Sequence, residues 1–506
     1  GRPAPPLARR GAEPAARRGA PGEETAARGM PTLVTLFLVS LLAPVIFDLG
    51  PLALQPYRVV LILAFFPMAK RFFLGEIALH RFDWLLVASI GWAFLAYLAN
   101  HGVRAIELGG IRTVEVLGAW MLGRVGVRNA EEMTRVVRTL FWMVVAMLPF
   151  AAYEAITHRP ILLNLIPSSP RVLYSPPRLG LRRAQVVFSH AILYGVFVSA
   201  VVGLVWYGFN QAAGLAARVA RSALIGFATI FSVSAGALLA FVVQGLLIVY
   251  ELMFKRNPGR WRVFGWGVVS GYVVLDILSN RTPFHLVVDY LTFSSGAAYN
   301  RILIFRFGMD SVWAHPIFGI GLRDWARPWW MGDSVDNFWL LNAMQFGIPG
   351  FLLFAGAFVL LIRAVSRSRI DDPVAWNLRA GWLTSMGGII LAGGTVHYWT
   401  VMLSFVMFLF GTGGWFVRDA PDEDDARRGA PRPRGGAAAA PEGRGGGALR
   451  PAPAAGRAPA ACPSAPAREP HASPRPARES DAAPPPARAP GPVRPPRPSR
   501  PGAPRR

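Results

Sequence analysis

The stretch Ala235–Phe254 reads AGALLAFVVQGLLIVYELMF, twenty residues with a single charge, Glu251, near its end. About 20 consecutive apolar residues are what a helix needs to cross the hydrocarbon layer of a bilayer. Working outward, the run is preceded after Ser232-Val233-Ser234 by another, Ala212–Phe231, and the pair reads as a tight hairpin. Ten further apolar stretches follow the same pattern: Thr32–Phe47, Arg58–Phe73, Trp84–Ala99, Val103–Leu122, Leu140–Ile156, Val186–Tyr207, Val263–Ser279, Phe346–Ile362, Gly381–Thr395 and Tyr398–Val417. The fold expected is all-α and polytopic, with about 12 transmembrane helices. A hydrophobic share of 53% against 16% charged residues, and a mean hydropathy of +0.36, exclude a soluble enzyme.

The formal charge of +24 invites a nucleic-acid reading, but much of it sits in the two ends of the chain. Residues 1–29 and those from 419 to 506 are Ala, Pro, Gly and Arg with little to bury, so disorder is expected there. Met30 reads as the natural start, residues 1–29 as upstream translation, and the tail as dispensable or read out of frame. The basic residues are nearly all arginine, Lys70 and Lys255 being the exceptions, and nucleic acid is not expected as a partner. Cys462 is the only cysteine, which excludes a disulfide framework or a cysteine-based metal site. No cleavable signal peptide is expected, the first run being long enough to serve as an anchor.

Charge sets the expected orientation. With the N-terminus in the cytoplasm, every inward connection is basic: Lys70, Arg71 and Arg81; Arg124, Arg128, Arg135 and Arg138; Arg218 and Arg221; Lys255, Arg256, Arg260 and Arg262; Arg363, Arg367, Arg369 and Arg379. Two outward loops break the rule. Thr157–Gln185 carries Arg159, Arg171, Arg178, Arg182 and Arg183, and Asn280–Gln345 carries Arg281, Arg301, Arg306, Arg323 and Arg327. The second is long and rich in aromatics, including Tyr290, Phe293, Tyr299, Trp313, Trp325, Trp329, Trp330 and Trp339, which suit an interfacial belt or the stacking of a sugar. Guanidinium groups bind phosphate bidentately, so two outward arginine-bearing loops are suited to clamping a pyrophosphate. The carboxylates nearby, Asp289, Asp310, Asp324, Asp333 and Asp336, lack metal-ligand spacing, and neither metal nor cofactor is expected. Within the fourth run, Glu107, Arg112 and Glu115 are intramembrane charges, functional by default or paired with one another. Asp276 and Arg281, five apart at the outer end of the ninth run, read either as a similar pair or as lining of the site.

Four segments together carry a resemblance. Arg182-Arg183-Ala184-Gln185-Val186-Val187-Phe188-Ser189-His190 through Gly195 comes first. Phe231-Ser232-Val233-Ser234-Ala235-Gly236 follows. Asn300-Arg301 through Arg306 leads into Ala314-His315-Pro316-Ile317-Phe318-Gly319-Ile320-Gly321-Leu322. Last come Asp336-Asn337-Phe338-Trp339-Leu340 and Gln345-Phe346-Gly347-Ile348-Pro349-Gly350. In order and spacing, over about Met30–Val417, they resemble the O-antigen ligase/polymerase superfamily of bacterial membrane glycosyltransferases. The resemblance implies a C-type glycosyltransferase-like architecture with two extended periplasmic loops, in the inner membrane, active on the periplasmic face. It implies an undecaprenyl-pyrophosphate-linked glycan as donor and a glycan or lipid A core as acceptor, in O-antigen, lipopolysaccharide or exopolysaccharide synthesis. Membrane lipids and a chain-length regulator protein are the partners it admits. Carried over, Arg182 or Arg183 and Arg301 or Arg306, with His315 and Arg323, would bind substrate. Asp336 would deprotonate the acceptor and Asn337 orient it; both also suit a helix N-cap. Departures from the pattern are Asp336 where the family places histidine, Ala191 where proline follows the histidine, and no glycine after Arg183. The histidine-to-aspartate change points towards the polymerase branch. The alternative reading, from another class, is a transporter or flippase of lipid-linked glycans. Gly347-Ile348-Pro349-Gly350 is expected to serve helix geometry and close packing.

Overall fold

A computed structural model describes residues 21–49, 52–166, 172, 177–209, 213–257, 259–278 and 295–417. The chain is mostly helical. The order is α1 (Pro21–Ser40), a short antiparallel hairpin β1 (Phe47–Leu49) and β2 (Leu52–Leu54), α2 (Pro56–Phe73) and α3 (Arg81–His101). Next come α4 (Ala105–Thr113), a π-helical turn Val114–Gly118, α5 (Ala119–Gly126), α6 (Ala130–Thr157) and α7 (Ile161–Leu165). They are followed by α8 (Ala191–Leu204) with a π-helical end Val205–Phe209, α9 (Leu215–Ile230), α10 (Ala235–Phe254) and α11 (Arg260–Leu278). The last are α12 (Ser295–Ala314), α13 (Phe338–Arg367), α14 (Pro373–Gly393) and α15 (Val401–Thr412). Among the described residues six helical stretches are long and apolar enough to cross a membrane: Arg81–Gly126, Ala130–Thr157, Ala191–Phe209, Ala235–Phe254, Arg260–Leu278 and Phe338–Arg367. All twelve apolar runs coincide, at least in part, with a helix. Helix α1 begins at Pro21, inside the N-terminal stretch expected to be disordered.

Burial follows composition. Helix α8 is apolar all round, and 13 of its residues from Ala191 to Leu204 are buried, with only Ile192 partly open. A helix without a polar face belongs in an interior, and α9, α10 and α14 pack around this one. Helix α11 is apolar between Val263 and Leu275 but has no buried residue; Trp266, Tyr272 and Leu278 are all exposed. Its side chains suit lipid rather than protein.

The ends of the helices sort by direction. The C-termini of α3, α6, α9 and α14 meet the N-termini of α8, α10, α13 and α15 at one end of the assembly. Backbone hydrogen bonds and side chains stitch this end together: Arg182 N–H to Ala155 O (3.0 Å), Ala184 N–H to Phe231 O (2.9 Å), Phe338 N–H to Val396 O (3.0 Å), and Leu322 N–H to His101 Nε2 (2.8 Å). Near the opposite end, Arg124 of α5 is buried and paired with Asp83 of α3 at 3.1 Å; Trp120 Nε1 also donates to that carboxylate.

Two corrections to the sequence reading concern charge and the long outward loop. Arg112 and Glu115 do not pair with each other. Glu115 accepts from Tyr57 Oη (2.6 Å) and Arg58 Nη2 (2.8 Å) of α2, whereas Arg112 Nη2 donates to Asn342 Oδ1 of α13 at 2.9 Å. The π-helical turn beginning at Val114 shifts the helix phase between the two residues, so their three-residue spacing no longer places them on one face. The long outward loop contains the twenty-residue helix α12. Its first part, with Arg281, Asp289, Tyr290 and Phe293, lies outside the described residues, as do Arg171 and Cys462.

Candidate functional site

The site is built on helix ends and on one interlock. Helix α13 is kinked at Gly347 (φ 71°), and Pro349 has no N–H, so the carbonyl of Gln345 loses its partner four residues on. The segment after α12 replaces what is missing. Gly321 N–H donates to Gln345 O (3.0 Å), Ile320 N–H to Met344 O (2.8 Å), and Ile348 N–H turns outward to Pro316 O (2.8 Å). Backbone approaches backbone so closely that a methyl group on Gly319 (φ 61°) would lie 2.3 Å from Met344 O, and one on Gly347 2.1 Å from Ile317 O. The two glycine-bearing motifs are thus halves of one lock. His315 belongs to that turn through its backbone, and its side chain is exposed. Arg323 is exposed too, and its Nη2 donates to Asn100 O at 2.7 Å, fastening the segment to α3.

The lock fixes the first turn of α13, and with it Asp336 and Asn337. Asn337 is the N-cap: its Oδ1 accepts from Leu340 N–H at 3.0 Å. Asp336, one residue earlier, is half-buried and accepts from Ser334 Oγ at 2.9 Å. Arg183 and Arg301 each act on it electrostatically and on one another, and Arg178 acts on both of these arginines. Burial, then the repulsion of Arg178 and Arg301, pushes the Arg183 guanidinium down to about 10, against the pull of Asp336. Arg301 of α12 is lowered by burial and Arg178, again opposed by Asp336. The Arg183 Nε is buried without a hydrogen-bond partner. Among the described residues three half-buried guanidiniums face one carboxylate, and that excess of positive charge is what a bound polyanion offsets.

His190 caps α8 and borders this cluster. Its Nδ1 accepts from Ile192 N–H at 3.0 Å, so in the neutral ring the proton sits on Nε2, a donor. Burial, then Arg183, pushes its pKa down to about 4. Trp399 closes the side: its Nε1 donates to Ser189 Oγ (3.1 Å), and its ring meets His190 edge-on at 6.1 Å. The turn Ser232-Val233-Ser234 lies beneath, where Arg178 Nη1 donates to Val233 O at 3.5 Å. Three β-branched residues with positive φ surround the site: Val186 (56°), Val233 (41°) and Thr400 (47°). Such backbone is costly and gathers where function holds it in place.

The structure brings together Asp336, Asn337, Arg183 and Arg301. It places Arg182 elsewhere: Arg182 is buried against α6, with Nε 3.5 Å from Glu154 Oε1 and Nη1 donating to His158 O at 2.9 Å. Arg306 is exposed, five residues along α12 from Arg301 and therefore on another face. Arg178 and His190 join the cluster although sequence reasoning singled out neither as a ligand; their signals were an outward arginine and a histidine before an apolar run. Of the tryptophans, Trp325 and Trp339 are fixed inside by hydrogen bonds to Asp333 O and Ile390 O, whereas Trp313, Trp329 and Trp330 are exposed. A cavity of about 720 Å³ lies away from this cluster, between α2 and α4, with largely apolar walls that include Ile62, Ile106 and Val114. Among the described residues no group of three metal-ligating side chains occurs. No protein-family profile matches the chain, nor does any curated protein sequence.

Proposed function

We propose that this protein is a membrane glycosyltransferase of the O-antigen ligase/polymerase type, moving a glycan from a polyprenyl pyrophosphate to an acceptor sugar. The observation that carries the reading is the enclosed cluster of Arg178, Arg183 and Arg301 around Asp336. A pyrophosphate esterified at both ends has two negative charges and gains another when the glycosyl bond breaks. Fixed guanidiniums facing that oxygen stabilise the charge as it develops, without reorganisation at the moment of reaction. In this scheme the acceptor hydroxyl oxygen attacks the anomeric carbon, the bond from that carbon to the phosphate oxygen breaks, and the hydroxyl proton passes to Asp336. The lipid pyrophosphate leaves on the arginines. His190 donates from Nε2, and Asn337, whose Oδ1 is held by the helix cap, meets the acceptor through its amide Nδ2.

The same reading takes the twelve helical runs as spans, the stitched end as periplasmic, and the end bearing Arg124, Arg128, Arg135, Arg363 and Arg367 as cytoplasmic, in keeping with the charge rule. The test is glycan analysis of Asp336→Ala and Arg301→Gln strains at normal protein level. Loss of polymer with lipid-linked repeat accumulating on the periplasmic side is expected. Full-length polymer in both strains would overturn the assignment, and accumulation on the cytoplasmic side would favour a flippase. Arg306→Gln, whose side chain points away from the cluster, is expected to keep polymer within about twofold of wild type.

A further inference from the structure

A second charged pocket lies one turn further down α13, and the reaction scheme does not use it. Its centre is Arg112 of α4. The guanidinium sits 4.5 Å over the ring of Phe346, and Nη2 donates to Asn342 Oδ1. Asn342 is itself fixed, its Nδ2 donating to Phe338 O at 2.8 Å. The Nε of Arg112 is buried and has no hydrogen-bond partner. Glu115, the nearest carboxylate along the helix, is taken by Arg58 and Tyr57, and among the described residues no carboxylate pairs with Arg112.

On the other side stands His397, in the turn between α14 and α15. It lies stacked between Phe338 (6.3 Å, 24°) and Trp399 (5.4 Å, 27°). Its Nδ1 is also buried without a partner. Burial and the nearby charge of Arg112 push its pKa down to about 4, which keeps the ring neutral and able to donate from one nitrogen. The two residues are half-buried beside aromatic rings, and each keeps one solvent-excluded nitrogen, Arg112 Nε and His397 Nδ1, without a hydrogen-bond partner. An isolated charge inside a membrane-length helix is expensive to keep unless something binds it. Arg112 ties α4 to α13 through the hydrogen bond to Asn342 and the contact over Phe346, and neither uses its Nε.

We propose that Arg112 and His397, with Asn342 holding the guanidinium in place, form a second oxyanion pocket that takes a phosphate group, separate from the cluster around Asp336. Both pockets border the first turn of α13, since Asp336 precedes Phe338 by two residues and His397 stacks on the Phe338 ring. The proposal does not rest on the glycosyltransferase reading, because it follows from the unpaired groups alone.

The test uses the full chain in nanodiscs of phosphatidylcholine, with tryptophan fluorescence as the readout, since Trp399 stacks on His397. Inorganic phosphate and dodecyl phosphate are titrated separately. Arg112→Gln is expected to weaken binding at least about tenfold, Arg112→Lys to recover most of it, and Arg301→Gln to leave this binding within about twofold. Loss for dodecyl phosphate alone identifies a lipid phosphate as the ligand; loss for both shows that the phosphate group suffices. A purely structural Arg112 predicts the opposite pattern, a lowered unfolding midpoint with phosphate binding intact. The proposal instead expects Arg112→Met to unfold no lower than wild type without phosphate. Binding within about twofold of wild type in both Arg112→Gln and His397→Gln would overturn it. Should Arg301→Gln fail to alter polymer while Arg112→Gln abolishes phosphate binding, the first reading falls and this one stands.

Discussion

Replacing Gly347 by alanine tests the interlock that positions the candidate site. The residue has φ 71°, where an L side chain costs about 1–2 kcal/mol. The added methyl would lie 2.1 Å from Ile317 O and 2.7 Å from Pro316 O, and both are backbone atoms that cannot swing away. The segment must therefore retreat. The hydrogen bonds of Ile320, Gly321 and Ile348 across the lock then lengthen or break, each worth about 1 kcal/mol net. Together the loss comes to about 4 kcal/mol or more. Gly245→Ala is the control: it lies within α10, where a methyl would meet nothing within 4 Å, and helix propensity favours alanine by up to about 1 kcal/mol. Thermal unfolding in detergent, followed by circular dichroism, reads both. The reasoning is refuted if Gly347→Ala unfolds within about 1 kcal/mol of wild type. It is equally refuted if Gly245→Ala is the less stable of the two.

Two further outcomes follow from buried charge. Glu115→Gln should cost about 3 kcal/mol or more, because it strands Arg58, while Glu115→Gln with Arg58→Met should recover much of that, read by the same unfolding assay. His190 and His397 have folded pKa values near 4, below the ordinary 6.5, so the unfolded chain binds protons more readily. The stability they contribute is full above pH 6.5 and is lost as pH falls towards 4; the unfolding midpoint should drop across that window, and drop less in a His190→Gln, His397→Gln double variant.

The helices were readable because membrane-length apolar runs leave few other solutions. Helix α12 was not, since its scattered arginines and mixed polar and apolar residues carry no membrane-length signal. The Asp336-Asn337 pair announced a helix start, but only the fold assigns the cap to Asn337 and leaves Asp336 to the arginines. The choice between Arg182 and Arg183 was open because adjacent residues point to opposite sides of an extended segment. Glu154, far away in sequence, takes the first. His397 carried no pattern at all: one histidine in a turn gains meaning only when Arg112, some 280 residues earlier, is seen beside it.

The wall formed by Val396, His397 and Trp399 has a consequence for biosynthesis. Val396 and Trp399 bond to Phe338 and Ser189, His397 stacks on Phe338, and all three belong to the turn that precedes α15. A ribosome delivers Arg178, Arg183, Arg301 and Asp336 well before it delivers that turn. Until α15 is inserted the arginines lack the side that encloses them, and a chain stopped after α14 would carry every charged group of the cluster on an open rim. Assembly of the site is thereby tied to completion of the membrane domain, and a truncated chain is expected to hold anions weakly even where its earlier helices fold.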